Sequence, residues 1–540
     1  MANSTADVVI VGAGFGGMYM LHKTRALGLK AIVLERATGV GGTWYWNRYP
    51  GARCDVESMQ YSYSFDPALQ QEWNWSERFA SQPEILSYAN HVADRLDLRR
   101  DIRFETSVIS AEYDEGTQSW TVGTAAGDTV TARFCVMATG CLSTSRQPDF
   151  PGLPSFTGKT YHTGHWPHDG VDFTGKRVGV IGTGSSAIQA IPVIAEQAAH
   201  LTVFQRTPNF SIPTRNKAMD SDYEGWWKKD YPNHRSLAKT LRAGVITSLN
   251  DMSALSVDAA ERQRVYEERW ASGGTSFMAS FNDLSVNKAS NDTAADFVRA
   301  KIRATITDPA VAEILLPHNH PIGTKRICVD SHYYETYNRA NVRLVDVRNA
   351  PIETITANGV MLGGREYPVD IIVFATGFDA MTGTLVGINP HGRDGATLAE
   401  EWEAGPRTYL GLMSAQFPNL FMITGPGSPS VLSNMIVSIE QHVDWVSDCI
   451  AYLNRNGLTA IEPRRDAQDA WVEHVNEMAF KTLYPTANSW YMGANIPGKP
   501  QVFMPYIGGV GAYRVKCDEV AAAGYAGFEL GAGLARAAAE

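Results

Sequence analysis

The sequence predicts an α/β protein with two similar nucleotide-binding units and a helical insertion. Two stretches carry the prediction, "DVVIVGAGFGG" at 7–17 and "KRVGVIGTGSSAIQAI" at 176–191. In each, an apolar β-branched run enters a glycine-rich loop and a helix follows. Residues 216–324 differ, because they are charged and amphipathic and contain helix-type runs such as "AADFVRAKIRATI". The two repeated units are therefore predicted to be Rossmann-like dinucleotide-binding domains.

The composition, with 44% apolar and 19% charged residues, indicates a globular protein with a large core. The 540 residues carry 57 acidic and 47 basic side chains and a formal net charge of −10, so no DNA- or RNA-binding surface is expected. No run of 18 apolar residues occurs and a strand-type run begins at Asp7, so neither a membrane span nor a secretory signal is predicted. The six cysteines form no C-x-x-C pair or zinc pattern. They favour a cytoplasmic setting without a metal site, and no protein partner is predicted.

The first glycine-rich loop reads Gly12-x-Gly14-x-x-Gly17. Gly12 permits the tight turn, Gly14 allows the backbone to approach a pyrophosphate, and Gly17 allows the helix to pack on the strand. The diphosphate would meet the free N–H groups of the helix N-terminus. Glu35, at the end of the next strand, can accept hydrogen bonds from ribose hydroxyls. This unit is predicted to bind a dinucleotide of the FAD type.

The second loop reads Gly182-x-Gly184-x-x-Ala187. Its next strand, "LTVFQRTP", carries Gln205 and Arg206 where an NAD-binding chain places an acid. An arginine suits the 2′-phosphate of NADPH, and a hydrogen bond to a charged group contributes about 1.5–3 kcal/mol. The second site is therefore predicted to prefer NADPH, with a solvated surface arginine as the alternative. Two such sites in one chain are typical of a flavoprotein that a nicotinamide reduces.

The chain is predicted to cross between the nucleotide-binding domains at two similar phrases, "VMATG" at 136–140 and "VFATGFD" at 373–379. A proline-bearing linker follows the first phrase. The predicted domains are 1–140 plus 385–540 for FAD, 150–215 plus 325–380 for NADPH, and 216–324 for the helical insertion. The last residues, 534–540, have the composition of a frayed helical end.

One further string, "FTGKTYHTGHWP", lies between the two glycine-rich loops. It resembles the fingerprint of the type I Baeyer–Villiger monooxygenases, F-x-G-x-x-x-H-x-x-x-W-P. The five fixed residues are Phe156, Gly158, His162, Trp166 and Pro167. A second signature, "GGTWYWNRYPGARCD" at 41–55, is intact as well. The resemblance covers nearly the whole chain and is greatest to the phenylacetone and steroid monooxygenase branch of that family.

The resemblance implies that the enzyme inserts one oxygen atom of O₂ beside a ketone carbonyl and forms an ester or lactone. FAD reduced by NADPH would react with O₂ to a C4a-peroxyflavin, whose anion attacks the ketone. Such a site must exclude water and retain NADP⁺. It also needs a permanent cation near the flavin, because a buried anion without a partner is costly. The implied substrate is a hydrophobic ketone, whether aryl, cyclic or steroidal.

The resemblance also implies roles for individual residues. Arg326, in "GTKRICVD", is the implied catalytic cation, and Asp55 the carboxylate that orients it. An arginine keeps its proton when buried, and pre-oriented charge in a low-dielectric site is often the largest catalytic effect. A structural salt bridge is the alternative for this pair. His162 is implied to be a hydrogen-bonded hinge residue that positions the nicotinamide domain, with a general base as the alternative.

The other cofactor contacts are implied by matching positions in the family. In the predicted FAD domain they are Gly12, Gly14, Gly16, Gly17, Glu35, Thr43, Trp44, Tyr45, Trp46, Asp55, Val56, Tyr61, Val108, Cys141 and Met435. Trp490, in the same part of the chain, is implied to bond the nicotinamide ribose through its indole N–H. In the predicted NADPH domain they are Gly182, Thr183, Gly184, Ser185, Ser186, Ala187, Gln189, Arg206, Thr207, Lys325 and Arg326. The implied substrate-pocket residues are Val56, Ile327, Val431, Leu432, Tyr491 and Met504. All but Tyr491 are apolar, which favours a hydrophobic ketone.

Two other functions stay open on the sequence. The first is a flavin monooxygenase that oxidises nitrogen or sulfur, and the Trp-Pro pair that ends the fingerprint argues against it. The second is a sensor that binds FAD or NADPH without catalysis. The presence of both Asp55 and Arg326 argues against the sensor.

Overall fold

The computed structural model describes residues 3–146 and 148–532. The helical end predicted for 534–540 lies outside the described residues. The elements of the N-terminal part are β1 (Asn3–Val11), α1 (Phe15–Ala26), β2 (Ala31–Leu34), α2 (Thr43–Trp46), α3 (Pro67–Glu72), α4 (Gln82–Arg95), β3 (Ile102–Arg103), β4 (Val108–Asp114), β5 (Ser119–Thr124) and β6 (Thr129–Met137).

The middle of the chain contains the second nucleotide-binding unit and most of the helices. Its elements are β7 (Lys159–His162), β8 (Arg177–Ile181), α5 (Ser185–Gln197), β9 (His200–Gln205), β10 (Ser211–Pro213), α6 (Ser221–Lys229), α7 (Tyr231–Thr240), α8 (Ala259–Ser272), α9 (Lys288–Thr305), α10 (Pro309–Leu315), β11 (Cys328–Asp330), α11 (Tyr333–Thr336), β12 (Val342–Asp346), β13 (Thr354–Ile355), β14 (Gly359–Leu362), β15 (Arg365–Pro368) and β16 (Ile371–Phe374). The C-terminal elements are α12 (Gly383–Ile388), α13 (Leu398–Glu401), β17 (Leu420–Met422), α14 (Met435–Arg455), β18 (Leu458–Pro463), α15 (Arg465–Phe480), α16 (Val510–Ala522) and β19 (Phe528–Ala532).

The first sheet joins the two ends of the chain. Strands β3, β2, β1, β6 and β17 lie parallel in that order, and β5 and β4 extend from β6 as an antiparallel meander. Val8, Val9 and Ile10 of β1 are fully buried. A strand buried on both faces is typical of a parallel sheet covered by helices, which explains why this run is continuously apolar. The C-terminal segment completes the sheet through β17.

The second sheet has five parallel strands in the order β12, β9, β8, β16 and β7. Its edge strand β7 is part of the fingerprint string, since residues 159–162 pair with β16. Gly158, just before this strand, has little room, because a Cβ there would lie 2.3 Å from the carbonyl oxygen of Asp370. The string that the sequence places between the two domains is therefore built into the second sheet.

The helices within 216–324 divide between two hydrophobic cores. The first core contains Val8 of β1, and α6 and α7 pack on it through Trp227 and Tyr231. The second core contains Val178 of β8, and α8 packs on it through Tyr266. The predicted insertion thus serves both cores, and the exact domain boundaries stay a prediction. No helix in the described ranges is both long and apolar enough to cross a bilayer.

Candidate active site

A cavity of about 1230 Å³ is lined by residues at strand ends of both sheets. Val11 and Leu34, at the C-terminal ends of first-sheet strands, line one part of it. Ile181 and Phe204, at the corresponding ends of second-sheet strands, line another part. Ligands of parallel α/β sheets bind at this edge of the strands. The fold therefore directs two potential nucleotide sites into one cavity.

Both glycine-rich loops present an uncapped helix to this cavity. Gly14 precedes α1 and Gly184 precedes α5; both glycines line the cavity. Neither helix has a side-chain N-cap or an acidic residue in its first turn, all of which lies in the described part of the chain. Free N–H groups and the helix dipole favour a diphosphate at such an end. The two loops thus fit two dinucleotides.

The first glycine of each loop is held in a conformation that suits glycine alone. Gly12 has φ +102° and Gly182 has φ +111°. A Cβ on Gly12 would lie 2.6 Å from the carbonyl oxygen of Ala138, and one on Gly182 would lie 2.5 Å from that of Ala375. By contrast, a Cβ on Gly184 would meet no protein atom within 4 Å. Gly184 therefore leaves open space over the end of α5.

Glu35 is buried at the end of β2, with 5% of its surface exposed, and lines the cavity. Its Oε2 accepts a hydrogen bond from the backbone N–H of Ala13 at 2.6 Å, and its Oε1 accepts one from Ala37 at 2.8 Å. A carboxylate has about four acceptor positions, so it can accept further bonds from a ligand. The glycine-rich loop thus orients the carboxylate predicted to bind ribose.

Asp55 and Arg326 meet inside the cavity. Arg326 donates from Nε to Asp55 Oδ2 and from Nη2 to Oδ1, each at 2.8 Å, and from Nη1 to the carbonyl oxygen of Val431 at 2.6 Å. The side chain of Arg326 is 31% exposed and that of Asp55 is 21% exposed. Asp55 raises the pKa of the Arg326 guanidinium above its ordinary value, although burial acts in the opposite direction. The arginine is therefore a fixed and permanent cation.

Three more cationic side chains line the part of the cavity beside the second loop: Arg206, Lys325 and Arg146. Burial lowers the pKa of Lys325, and so does the nearby Arg206. The same two causes lower the pKa of Arg146. Among the described residues, none of the three has a carboxylate within salt-bridge distance. A group of unneutralised cations is suited to a phosphate.

Most of the predicted cofactor contacts line the cavity. In the flavin set these are Gly12, Gly14, Gly16, Glu35, Thr43, Trp44, Trp46, Asp55, Val56, Tyr61, Val108, Cys141 and Met435, and Trp490, the predicted contact of the nicotinamide ribose, lines it as well. In the NADPH set they are Gly182, Thr183, Gly184, Ser185, Ser186, Gln189, Arg206, Thr207, Lys325 and Arg326. The sequence thus brings both sets to one place.

Three predicted contacts do not line the cavity: Gly17, Tyr45 and Ala187. A Cβ on Gly17 would lie 1.8 Å from the carbonyl oxygen of Gly12, so this glycine serves helix–strand packing. Ala187, at the matching position of α5, is fully buried. The hydroxyl of Tyr45 lies 2.6 Å from that of Thr38. These three residues therefore support the cavity wall without lining it.

Four of the six predicted substrate-pocket residues share one apolar cluster. Val431, Leu432, Tyr491 and Met504 pack there together with the cavity-lining Met435. The other two lie elsewhere: Val56 belongs to the first core and Ile327 to the second. Each of these two directly follows a member of the Asp55–Arg326 pair in sequence. Of the six predicted residues, Val56 and Val431 line the cavity, and Ile327, Leu432, Tyr491 and Met504 do not.

None of the five fingerprint residues lines the cavity. His162 accepts a hydrogen bond at Nδ1 from the backbone N–H of Gly164 at 3.0 Å, and its Nε2 lies 3.1 Å from Thr376 Oγ1. Burial lowers the pKa of His162 to about 4, so the ring is neutral near pH 7. Trp166 is buried beside Phe173. These contacts are those of a hydrogen-bonded packing residue, and the hinge role stays a prediction.

Sequence reasoning missed three arginines of the cavity, Arg36, Arg53 and Arg146. Arg36 donates from Nη2 to the carbonyl oxygen of Ser143 at 3.0 Å and lies 4.7 Å from the ring centre of Trp46. Arg36 directly follows Glu35, and Arg146 lies in the linker after the "VMATG" phrase. A basic residue shortly after a nucleotide-binding strand was the sequence feature that could have identified Arg36 and Arg146. Within 3–146 and 148–532, no group of three or more His, Cys, Asp or Glu could hold a metal ion.

Comparisons with known proteins agree with this geometry. A family model of pyridine nucleotide-disulphide oxidoreductases matches residues 9–265. A Baeyer–Villiger monooxygenase of Pseudooceanicola batsensis is 44% identical over 526 residues, 96% of this chain and 95% of the relative. A phenazine N-monooxygenase of Lysobacter antibioticus is 43% identical over 528 residues, 97% of each protein. The solved structure of an oxidised steroid monooxygenase bound to NADP is 55% identical, with a TM-score of 0.94, and the match covers 98% of this chain and 100% of that chain.

These matches extend over both nucleotide-binding units and the helices between them. They confirm the α/β fold with two dinucleotide-binding units, and they confirm the resemblance that the fingerprint string indicated. The chain therefore belongs to the flavin-dependent Baeyer–Villiger monooxygenases.

Proposed function

We propose that the protein uses FAD, NADPH and O₂ to insert one oxygen atom beside the carbonyl group of a hydrophobic ketone, which gives an ester or lactone. The observation that carries this proposal is the Asp55–Arg326 pair. It lies in a cavity that both glycine-rich loops also line. A flavin site, a nicotinamide site and a permanent cation would thus be combined in one cavity.

The residues present fit both cofactors. The end of α1 and the Glu35 carboxylate would hold the ADP part of FAD, and the end of α5 would hold the diphosphate of NADPH. Arg206 and Lys325 would bind its 2′-phosphate. When bound, FAD and NADPH supply oxygen activation and the hydride. The NADP named with the steroid monooxygenase structure supports this assignment.

Arg326 would stabilise negative charge that develops on oxygen during the reaction. A guanidinium has five N–H donors. Two of its nitrogens bond Asp55 and the third bonds Val431 through one N–H, and the Tyr491 hydroxyl interacts with a further N–H, so one N–H stays available. Because Asp55 fixes the plane of the group, little reorganisation is needed when charge appears. A lysine could not supply this two-point geometry.

The apolar side chains of Val56, Val431 and Met435, which line the cavity, support a hydrophobic ketone as the substrate, and the cluster that contains Met504 packs behind Val431. Apolar walls bind the hydrocarbon part and exclude water, and they offer few groups that could recognise polar substituents. Tyr491 is the polar exception; it is 2% exposed, and burial raises the pKa of its phenol above the ordinary value. The phenol therefore stays protonated at neutral pH and can only donate or accept a hydrogen bond.

A second candidate function is oxygenation of nitrogen or sulfur. The phenazine N-monooxygenase, which is similar over 97% of both chains, favours this alternative. The fixed cation opposes it, because soft nucleophiles are oxidised by a protonated oxidant that needs no anion stabilisation. We therefore place ketone oxygenation first.

The test is turnover of purified protein with FAD, NADPH and ¹⁸O₂ on aryl, cyclic and steroidal ketones, with a thioether and an aromatic amine for comparison. We expect an ester or lactone that carries one ¹⁸O atom from at least one ketone class. Oxidation of the amine or thioether with no ester from any ketone would instead support the second candidate.

A further inference from the structure

Residues 49–55, here called the bridging segment, connect the two hydrophobic cores. Tyr49, at its start, packs its ring against the second core. Cys54, near its end, belongs to the first core. The segment is part of the "GGTWYWNRYPGARCD" signature, and Tyr49, Arg53 and Asp55 all line the cavity. Any displacement of this segment therefore changes the cavity wall.

Gln189, on helix α5, bonds Tyr49 and Arg53 of the bridging segment through both the oxygen and the nitrogen of its side-chain amide. Its Oε1 accepts from the Tyr49 hydroxyl at 2.9 Å and from the Arg53 N–H at 3.4 Å. Its Nε2 donates to the Arg53 carbonyl oxygen at 3.1 Å. Burial raises the pKa of Tyr49 to about 12, so the phenol keeps the proton that it donates. A side-chain amide that bonds both the N–H and the C=O of one residue pairs with it as a neighbouring β-strand would. Such pairing fixes where Arg53 lies along α5 as well as its distance from the helix.

The backbone of the bridging segment also lies directly on α5. Gly51 has φ +78°, and a Cβ there would lie 2.3 Å from the carbonyl oxygen of Gln189. This approach places the turn of the segment against the helix at the same residue whose side chain binds Tyr49 and Arg53. The two contacts together allow the segment one position on α5.

The other end of the bridging segment is attached to the second core as well. Asp55 receives two hydrogen bonds from Arg326, and Arg326 is followed by Ile327 of that core. On the side of the first core, the segment is held by hydrogen bonds from Cys54 N–H to Ala80 and from Gln82 N–H to Ala52, and by the Arg53–Glu77 ion pair. Loss of the Gln189 contacts would leave the segment with these bonds and with Arg326, but without its side-chain link to α5.

We propose that Gln189 is a positioning residue for the oxygenation step: it holds the bridging segment so that Asp55 orients Arg326. The proposal rests on the proposed function. It differs from the family-implied role of Gln189 as a direct NADPH contact, because three of the hydrogen bonds its amide can make are already used within the protein. Gln189 acts through Asp55 and does not touch the reacting atoms.

The test compares wild type with Gln189→Met, which keeps the length of the side chain and removes its hydrogen bonds. A misplacement of about 1 Å far from the chemistry can lower a rate by about 100-fold, so we expect kcat for ester to fall 10- to 100-fold. The ester formed per NADPH consumed should fall as well. The dissociation constant of NADPH should stay within about twofold of wild type. Tyr49→Phe keeps the ring packing and loses one hydrogen bond, and should show a smaller loss of the same kind.

Amide hydrogen exchange gives a readout that does not depend on turnover. In Gln189→Met, peptides that cover 49–55 should exchange faster, whereas peptides from β1 should not change. Gln197→Met, at the exposed end of the same helix, is the matched control and should behave as wild type. If the ester formed per NADPH consumed and the exchange of 49–55 both stay as in wild type in Gln189→Met, the proposal is wrong. A tenfold weaker binding of NADPH in that case would identify Gln189 as a cofactor contact.

The proposed function and this inference fail separately. Wild-type protein that makes no ester from any ketone contradicts the proposed function. The exchange comparison still decides whether Gln189 fixes the bridging segment, because it needs no substrate.

Discussion

The side chains of Asp55 and Arg326 meet between the two hydrophobic cores, with two donor–acceptor distances of 2.8 Å. Asp55 is followed by Val56 of the first core, and Arg326 is followed by Ile327 of the second. The pair therefore forms only when the two halves of the molecule are docked. Removal of one partner would leave a charge in the cavity without compensation, which is more costly than loss of the whole pair.

Arg326→Ala should abolish ester formation and retain reduction of the flavin by NADPH. The guanidinium is needed where negative charge develops, and loss of one pre-oriented group of this kind lowers kcat by about 100- to 1,000-fold. Hydride transfer does not need that charge. Stopped-flow reduction without oxygen and product analysis with oxygen would separate the two steps.

Two further variants make this prediction specific. Arg326→Lys keeps a positive charge but not the two-point contact with Asp55, and should recover only a small part of the activity. Arg303→Ala removes an arginine whose side chain is 50% exposed, and should have no effect. Normal conversion of ketone to ester by Arg326→Ala would show that the catalytic assignment of Arg326 is wrong.

Arg206→Ala should weaken NADPH binding and leave NADH binding nearly unchanged. Only NADPH carries the 2′-phosphate, and a hydrogen bond to a charged group contributes about 1.5–3 kcal/mol, so we expect its KM to rise about 10- to 100-fold. Lys325→Ala should show a smaller change of the same sign. The ratio of kcat/KM for NADPH to that for NADH checks this, and an equal loss with both cofactors would contradict it.

Gly184→Ala and Gly182→Ala should differ in kind. A Cβ on Gly184 meets no protein atom within 4 Å, so this variant should keep its thermal midpoint and bind NADPH about tenfold more weakly. Gly182 has φ +111° and lies against Ala375, so Gly182→Ala should lose about 1–3 kcal/mol of stability. Thermal unfolding and NADPH titration measure the two effects, and equal thermal midpoints for both variants would refute the distinction.

His162 should make the stability of the protein depend on pH. Burial lowers its pKa to about 4 in the folded state, against 6.5 as the ordinary value, so folding favours the neutral ring. The resulting stability is complete above pH 6.5 and is lost as the pH falls from 6.5 towards 4. Between pH 7.5 and pH 5 the loss is about 2 kcal/mol.

His162→Gln keeps a hydrogen-bonding side chain without this titration, so its stability should fall less over the same pH interval. His320 and His442, whose pKa values burial lowers to about 3, are unchanged in the variant and cancel in the comparison. Urea unfolding at the two pH values provides the measurement. Identical pH dependence in both proteins would mean that His162 is not the group responsible.

The sequence predicted the parts of the fold that local patterns determine. The two strand–loop–helix units follow from short apolar runs and glycines whose spacing encodes a tight turn, and α9, at Lys288–Thr305, includes the run whose period indicated a helix. The prediction that Asp55 and Arg326 form a pair came from family resemblance. Spacing alone could not have paired residues 271 positions apart.

Other features depend on packing between distant segments and could not be read from the sequence. The strand β7 is only four residues long, so its pattern is too short to distinguish an edge strand from a connection. Helix α6 buries Trp227 and helix α8 buries Val265 and Tyr266, and nothing in either helix specifies which core it will cover. The contacts of Gln189 with Tyr49 and Arg53 span about 140 residues, for which the sequence holds no local signal.

The division of the helices between two cores has a mechanical consequence. The chain leaves the second core after Ile212 and reaches the first at Met219, and it leaves the first near Ile246 and returns to the second at Ala254. These two stretches are tethers beside the two strand connections, and four tethers confine relative rotation to a narrower arc than two would. Leu249, in the middle of the returning stretch, is 58% exposed, so a protease could cut there and widen that arc without dismantling either half.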